Sequence, residues 1–205
     1  MSAQQNAARY YREYSRLKNA ERILTEQIKA AENERLHLRA VFDSLKYAEN
    51  DRDLKEIREE LADMGYVKRA PVKGKPKKEP PAAPMRFVSS SGLTIAAGKN
   101  NRQNEEVTFR IAAKRDIWLH VKNTSGSHVA ILAGGAEIDD ETLVQAAQIA
   151  AWFSGYRESS GVPVDYTPVK NVKKIPGAGP GMVTYSDYKT VFVTPDESIV
   201  RTLRV

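Results

Sequence analysis

The stretch DIWLHVKNTSGSHVAI, Asp116 to Ile131, holds the residue types best suited to chemistry. Read as a strand, its side chains alternate between two faces, with Ile117, Leu119 and Val121 on one and Asp116, Trp118 and His120 on the other. An acid, an indole and an imidazole in a row on one sheet face can stack a base or a sugar and hydrogen-bond around it. Lys122, Ser125 and Ser127 follow in the turn, and His128 opens the next strand. The alternative is that Trp118 is core and the histidines are structural, since large aromatics are usually well buried. Asp116, His120, His128 and Ser127 supply the residue types of a hydrolase triad, but no nucleophile elbow or oxyanion-hole signature accompanies them. No catalytic residue is assigned, and the chain reads as a binding protein rather than an enzyme. The spacing of His120 and His128 matches no helical metal-ligand pair, so neither a metal nor a cofactor is expected.

Two further stretches suit a polyanion. GKNNRQNEE, Gly98 to Glu106, places Asn100, Asn101, Arg102, Gln103 and Asn104 at a helix start. Amides, one guanidinium and free backbone donors there fit a phosphate or a sugar edge, and the competing reading is a capped loop with Asn104 as N-cap. In KNVKKIPGAGPGMV, Lys170, Lys173 and Lys174 precede a loop containing Gly177, Gly179 and Gly181. The loop lacks the Gly-Lys-Ser/Thr of a Walker sequence and the glycine spacing of a dinucleotide fingerprint. A basic rim beside it is compatible with phosphate-backbone contact, and a plain hairpin connection fits equally.

The elements that must position these residues divide the chain into three. Residues 86–205 read as a small mixed α/β domain: strands over 86–90, 93–97, 117–121, 128–132, 164–169, 181–186 and 190–195, a short helix over 101–113, and a longer one over 139–154 capped by Asp139 or Asp140. The alanines at 146, 147, 150 and 151 permit close helix-on-sheet packing, with Val144 also expected to face the sheet. Residues 1–65 read as a helical arm without proline and with an apolar residue every seventh position at Ala3, Tyr10, Leu17, Leu24, Ala31, Leu38 and Leu45. Such a stripe calls for a partner helix or a homodimer. A break near Asn50 opens a second helix with an expected apolar face of Leu54, Ile57, Leu61 and Met64. Residues 66–85 form a linker with five prolines and five lysines, expected to be a semi-extended tether.

The 205 residues carry a net charge of +6, and it is concentrated. Residues 1–65 sum to −1, residues 66–86 to +6 and residues 87–205 to +1. The excess at the connector attracts polyanions through counterion release, or keeps a linker solvated. Cysteine is absent, which removes thiol nucleophiles, thiolate metal sites and disulfide scaffolds. No apolar run is long enough to span a bilayer, and the first residues lack the apolar middle of a secretory signal, so a cytoplasmic setting without membrane contact is expected.

Residues 86–205 resemble the NFACT-R domain of the RqcH/NEMF family in GLTIAAGKNNRQNEE, DIWLHVKNTSGSHVAI, AAQIAAWFS, VDYTPVKNVKKIPGAGPGMVTY and TVFVTP. The family's Asp-x-Trp-x-His motif stands here as Asp116, Trp118 and His120. NAARYYREYSRLKNAE, within residues 4–68, resembles the second coiled-coil arm of those proteins. The resemblance implies an RNA-binding module of a ribosome quality-control factor. Such factors bind stalled large ribosomal subunits with peptidyl-tRNA and support tRNA-dependent alanine tailing. Implied partners are tRNA, ribosomal RNA and the large subunit. Because many bacterial members carry the name fibronectin-binding protein A, the competing expectation is a fibronectin-binding adhesin. The family's N-terminal domains and first coiled-coil arm have no counterpart here, so the chain is expected to be a C-terminal fragment.

Overall fold

In the computed structural model, residues 1–69 and 82–205 are described. The expected linker therefore falls largely outside the described residues. Helix α1 covers Ala3–Lys46. Two compact units result, Met1–Leu38 and Arg39–Val205. In the first, the heptad residues Tyr10, Leu17, Leu24 and Leu38 are all exposed, so the apolar stripe read from the sequence faces outward.

The second unit starts well before the expected domain boundary at residue 86. Its opening stretch is held by specific contacts: Ser125 donates its hydroxyl to Asp43, and Tyr47 donates to the Ser154 carbonyl at 2.9 Å. Helix α2, Asp51–Asp63, is capped by Asn50, whose side chain accepts from the backbone N–H groups of Arg52 and Asp53. Its buried face keeps Ile57, and half-buries Leu61, of the expected apolar four, but is otherwise acidic. Asp53, Ile57 and Glu60 are buried, whereas Leu54 and Met64 are exposed. The helix docks through carboxylates, a signal that hydrophobic periodicity does not report.

A six-stranded antiparallel sheet forms the scaffold, in the order β1-β2-β4-β3-β5-β8. Its strands are β1 Met85–Val88, β2 Thr94–Ala97, β3 Ile117–Val121, β4 Val129–Leu132, β5 Val162–Pro168 and β8 Lys189–Val193. Strands β6 (Val172–Lys174) and β7 (Val183–Tyr185) form a separate hairpin. Met85 belongs to β1 and Ala82 is buried, so the last residues of the expected linker are already part of the domain.

Strand alternation buries both faces of this sheet. On one face, Leu119, Val121, Ile95, Ile131, Val162 and Val164 pack against helix α4, Asp140–Trp152. The α4 residues Ala146, Ala147, Ala150 and Ala151 are fully buried there, as their size allows, while Val144 is exposed. Asp139 caps α4 by accepting from the Thr142 N–H at 2.7 Å. Helix α5, Glu197–Leu203, adds Val200 and Leu203 to the same core, and had no sequence expectation. The opposite face is covered by helix α3 (Asn101–Glu106), its wider continuation Val107–Ile111, and the β6–β7 hairpin.

Candidate nucleic-acid interface

The alternation of β3 holds as read: Ile117, Leu119 and Val121 join the α4 core, and Trp118 lies on the other face. The exposed stacking platform does not. Trp118 is fully buried in a second core with Val169 and Val172, packed by Phe109, Ala112, Val183 and Tyr185. Strand β6 follows directly on β5 and folds back over the indole, placing a second layer on a face that sequence alternation left open. The indole stacks on His120 with ring centroids 5.7 Å apart and meets His128 edge-on at 5.1 Å. Its Nε1 has no hydrogen-bond partner among the described residues.

Both imidazoles are held neutral. Burial pushes His120 down to about 4, against partial support from the Gly126 backbone and the Asp165 charge. Burial and then the His120 ring push His128 well below the ordinary histidine range. His128 Nδ1 shares a 2.8 Å hydrogen bond with the Thr108 hydroxyl, and its backbone N–H donates to Asn104 Oδ1 at 2.9 Å. Asp116, also buried, is a loop fastener: one oxygen accepts from the Ala113 N–H at 2.7 Å and the other from Ala133 and Gly134 at 3.1 and 3.3 Å. Ser127 donates to the Gly98 carbonyl at 2.5 Å. Asp116, Trp118, Ser127 and His128 are therefore framework residues with no surface to offer a ligand, and His120 is only partly open.

The amide-rich helix start is also corrected. Asn100, not Asn104, caps α3, accepting from the Gln103 N–H at 2.9 Å. The Asn100 and Gln103 amides donate to Glu56 at 3.0 and 2.9 Å, and Asn101 donates to Glu60 at 2.7 Å. Arg102 pairs with Asp63 and, at 3.5 Å, with Glu59. Lys99 bridges Glu49 and Asp53, both at 3.2 Å. Asn104 donates to the Gly126 carbonyl at 3.2 Å. The groups that suit phosphate are thus occupied by carboxylates of α2 and its entry loop. An acidic helix has taken the place that sequence reasoning reserved for RNA.

The exposed cations remain. Lys170, Lys173 and Lys174 lie on the surface of the short helical turn Val169–Asn171 and of β6. Lys174 is paired with Glu105 at 2.6 Å and covers the Phe109 ring at 5.3 Å. Lys122 is half-buried beside Asp165 at 3.8 Å. The fold adds a group that motif reading missed. The Lys170 N–H donates to the Lys114 carbonyl at 3.1 Å and the Val169 N–H to the Asp116 carbonyl at 2.9 Å, which locks the loop before β3 against the turn after β5. Lys114 is thereby brought beside Lys170, Arg115 and Lys173 lie on the same two segments, and all four are exposed. Among the described residues none of the four has an ion-pair partner. Like charges gathered without counter-charges repel one another, and a polyphosphate backbone relieves that repulsion. The pair Lys114-Arg115 was visible in the sequence, but its neighbours are more than fifty residues away and only the β3–β5 pairing joins them.

Comparison with known proteins agrees with this architecture. Residues 1–80 match the model described as NFACT N-terminal and middle domains, and residues 84–186 match the NFACT protein RNA binding domain. Two similar curated relatives are both named Rqc2 homolog RqcH. The one from Bacillus subtilis is 46% identical over 98% of this chain and 35% of its own length. The one from Streptococcus suis is 37% identical over 100% of this chain and 36% of its own. The chain spans about a third of these relatives. A solved structure, the C-terminal part of the fibronectin/fibrinogen-binding protein from Streptococcus suis, superposes with a TM-score of 0.89 at 38% identity, covering 98% of this chain and 80% of that one. An outward-facing heptad helix followed by an antiparallel sheet covered on both faces and bearing an RNA-binding domain signature shows that the chain belongs to the NFACT family of RqcH-like proteins.

Proposed function

We propose that this chain is the RNA-binding and ribosome-docking part of a ribosome quality-control factor. It would contact tRNA or ribosomal RNA on a large subunit that still holds peptidyl-tRNA, in support of tRNA-dependent alanine tailing. The observation that carries the reading is the unpaired basic corner of Lys114, Arg115, Lys170 and Lys173 on a domain of RNA-binding type. Four exposed cations carried on two segments that are hydrogen-bonded together fit a run of phosphates and read shape or charge rather than sequence. The helical arm would serve as a spacer whose apolar stripe meets a second helix, in a homodimer or in a longer protein.

Binding rather than catalysis fits the buried cluster, because Asp116, Ser127 and His128 are each committed to a structural hydrogen bond. Among the described residues no helix is long and apolar enough to cross a membrane. The test is co-sedimentation of the chain with large ribosomal subunits and gel-shift titration with tRNA. Binding that weakens steeply with salt supports the proposal. Absence of binding by a folded chain at low salt overturns it. Since the Streptococcus suis neighbour is named for fibronectin and fibrinogen, solid-phase binding to fibronectin at physiological salt belongs in the same series. Fibronectin binding unaffected by the four charge reversals would favour an adhesin.

A further inference from the structure

The face of the sheet that carries Trp118 is covered only in part. Toward the β8 edge, beyond the β6–β7 hairpin, Phe192 is 70% exposed and Tyr188 44% exposed. Both lie on this face by strand parity, since the intervening Thr190 donates to buried Asp165 at 2.6 Å and Phe192 stands opposite Pro163. Tyr188 is held in place rather than loose. Its ring meets Tyr185 edge-on at 5.2 Å, and the Lys122 ammonium lies 5.0 Å from its centre. The turn before it is pinned by Thr167, whose hydroxyl donates to the Ser186 and Asp187 carbonyls at 3.0 and 3.2 Å.

We propose that this ledge, Lys122, Tyr188 and Phe192, takes an unpaired nucleobase of single-stranded RNA. The base would stack on the Phe192 ring, with Lys122 toward the adjoining phosphate. The proposal rests on the RNA reading above and adds a second, chemically different contact to it. The charge pattern suits that occupant. Asp165 is buried, and its oxygens are taken by Tyr185 and Thr190 at 2.9 and 2.6 Å, while Asp187 and Lys189 flank Tyr188 with opposite charges. The outward groups are ring surface and the Lys122 ammonium, held beside Tyr188 by its 3.8 Å pairing with Asp165, with the exposed Asp187 and Lys189 offsetting one another; an aromatic face next to a cation is the combination by which proteins grip single strands without reading sequence. A stable protein partner generally needs about 800 Å² on each side, far more than two rings and a proline offer. The basic corner stands at the opposite end of β3, about 17 Å away by strand rise, so one short strand reaches both.

The experiment titrates the full chain with a labelled single-stranded oligoadenylate and with the same strand annealed to its complement. Phe192→Ala should weaken single-strand binding roughly 5- to 150-fold, the worth of one stacked base, and leave duplex binding unchanged. Phe192→Trp should restore binding and report it by quenched indole fluorescence. The thermal midpoint of both variants checks the fold. Single-strand binding unaffected by Phe192→Ala but lost on reversal of Lys170 and Lys173 overturns the ledge and leaves the RNA reading intact. Wild-type chain that binds neither probe at low salt overturns both. Loss of large-subunit association in Phe192→Ala with oligonucleotide affinity unchanged points to a protein occupant and overturns stacking.

Discussion

Trp118 sits in a motif that invites a ligand-binding explanation, and its burial changes what a substitution there will do. Trp118→Ala removes a fully buried side chain from the core it shares with Val169 and Val172. Truncations of that kind cost about 3–5 kcal/mol, part lost transfer free energy and part cavity. For a chain of this size that lowers the thermal midpoint by about 6–20 °C. Trp118→Phe makes a sharper test. It also removes ring volume, but it deletes an indole N–H that is buried without a partner among the described residues. Leaving such a donor unsatisfied costs about 1–3 kcal/mol, so its removal offsets much of the lost packing, and the net change should stay within about 1 kcal/mol. Denaturant unfolding followed by fluorescence or circular dichroism gives both values, with RNA titration of the same samples below their unfolding transitions. The alanine variant should bind RNA normally while folded. A Trp118→Ala protein of undiminished stability that no longer binds RNA would refute the framework role and return the indole to the ligand.

Acid should destabilise the second unit through the paired imidazoles. Burial depresses His120 to about 4 and holds His128 well below the ordinary histidine range, so between about pH 6.5 and 4 the unfolded chain binds more protons than the folded one. Stability is then full above about pH 6.5 and falls as pH drops, by up to ~1.4 kcal/mol per pH unit for each histidine, measurable by urea melts; a flat profile over that window would contradict the burial account. Gly181→Ala should cost roughly 1–3 kcal/mol, because its φ is +75° and an added Cβ would lie 3.0 Å from the Asn101 carbonyl oxygen; an unchanged midpoint would show that the loop is not seated on α3. Asp53→Ala should cost about 1–3 kcal/mol, because it removes one of the two carboxylates that Lys99, only 11% exposed, bridges and the acceptor of the Glu49 N–H, and it should speed proteolysis of α2; equal protease resistance would argue against docking through carboxylates.

Periodicity made much of this fold legible. The period-two pattern of IWLHV, the neighbouring strands near 86–90 and 93–97, and the helix starts near Asn50 and at Asp139 or Asp140 all come from local chemistry, and the structure shows each of them, with Asn50 and Asp139 as the caps. Layering was not legible. Alternation says that Trp118 opposes Leu119, but not whether the second face meets water or another element. Of the covering hairpin only the second strand was legible, within 181–186; the first, Val172–Lys174, is too short to carry a pattern, and neither strand says which face it covers. α2 was misread for a related reason: its seat is polar, so Asp53, Glu56 and Glu60 looked like solvated charges and the amides of Asn100, Asn101 and Gln103 like a free anion site. Asp165, which gathers Tyr185, Thr190 and Lys122, carried no spacing signal, because its neighbours come from two other strands and the turn after β3.

On this reading the corner formed by Lys114, Arg115, Lys170 and Lys173 grips a phosphate backbone. The direct measurement is the salt dependence of RNA affinity for the wild-type chain and for the variant carrying all four as glutamate. Four phosphate contacts give a slope of log affinity against log salt of about −3 to −4. The wild type should show at least that slope, and the variant should lose most of both slope and affinity at an unchanged thermal midpoint. Equal slopes for the two proteins would contradict the claim.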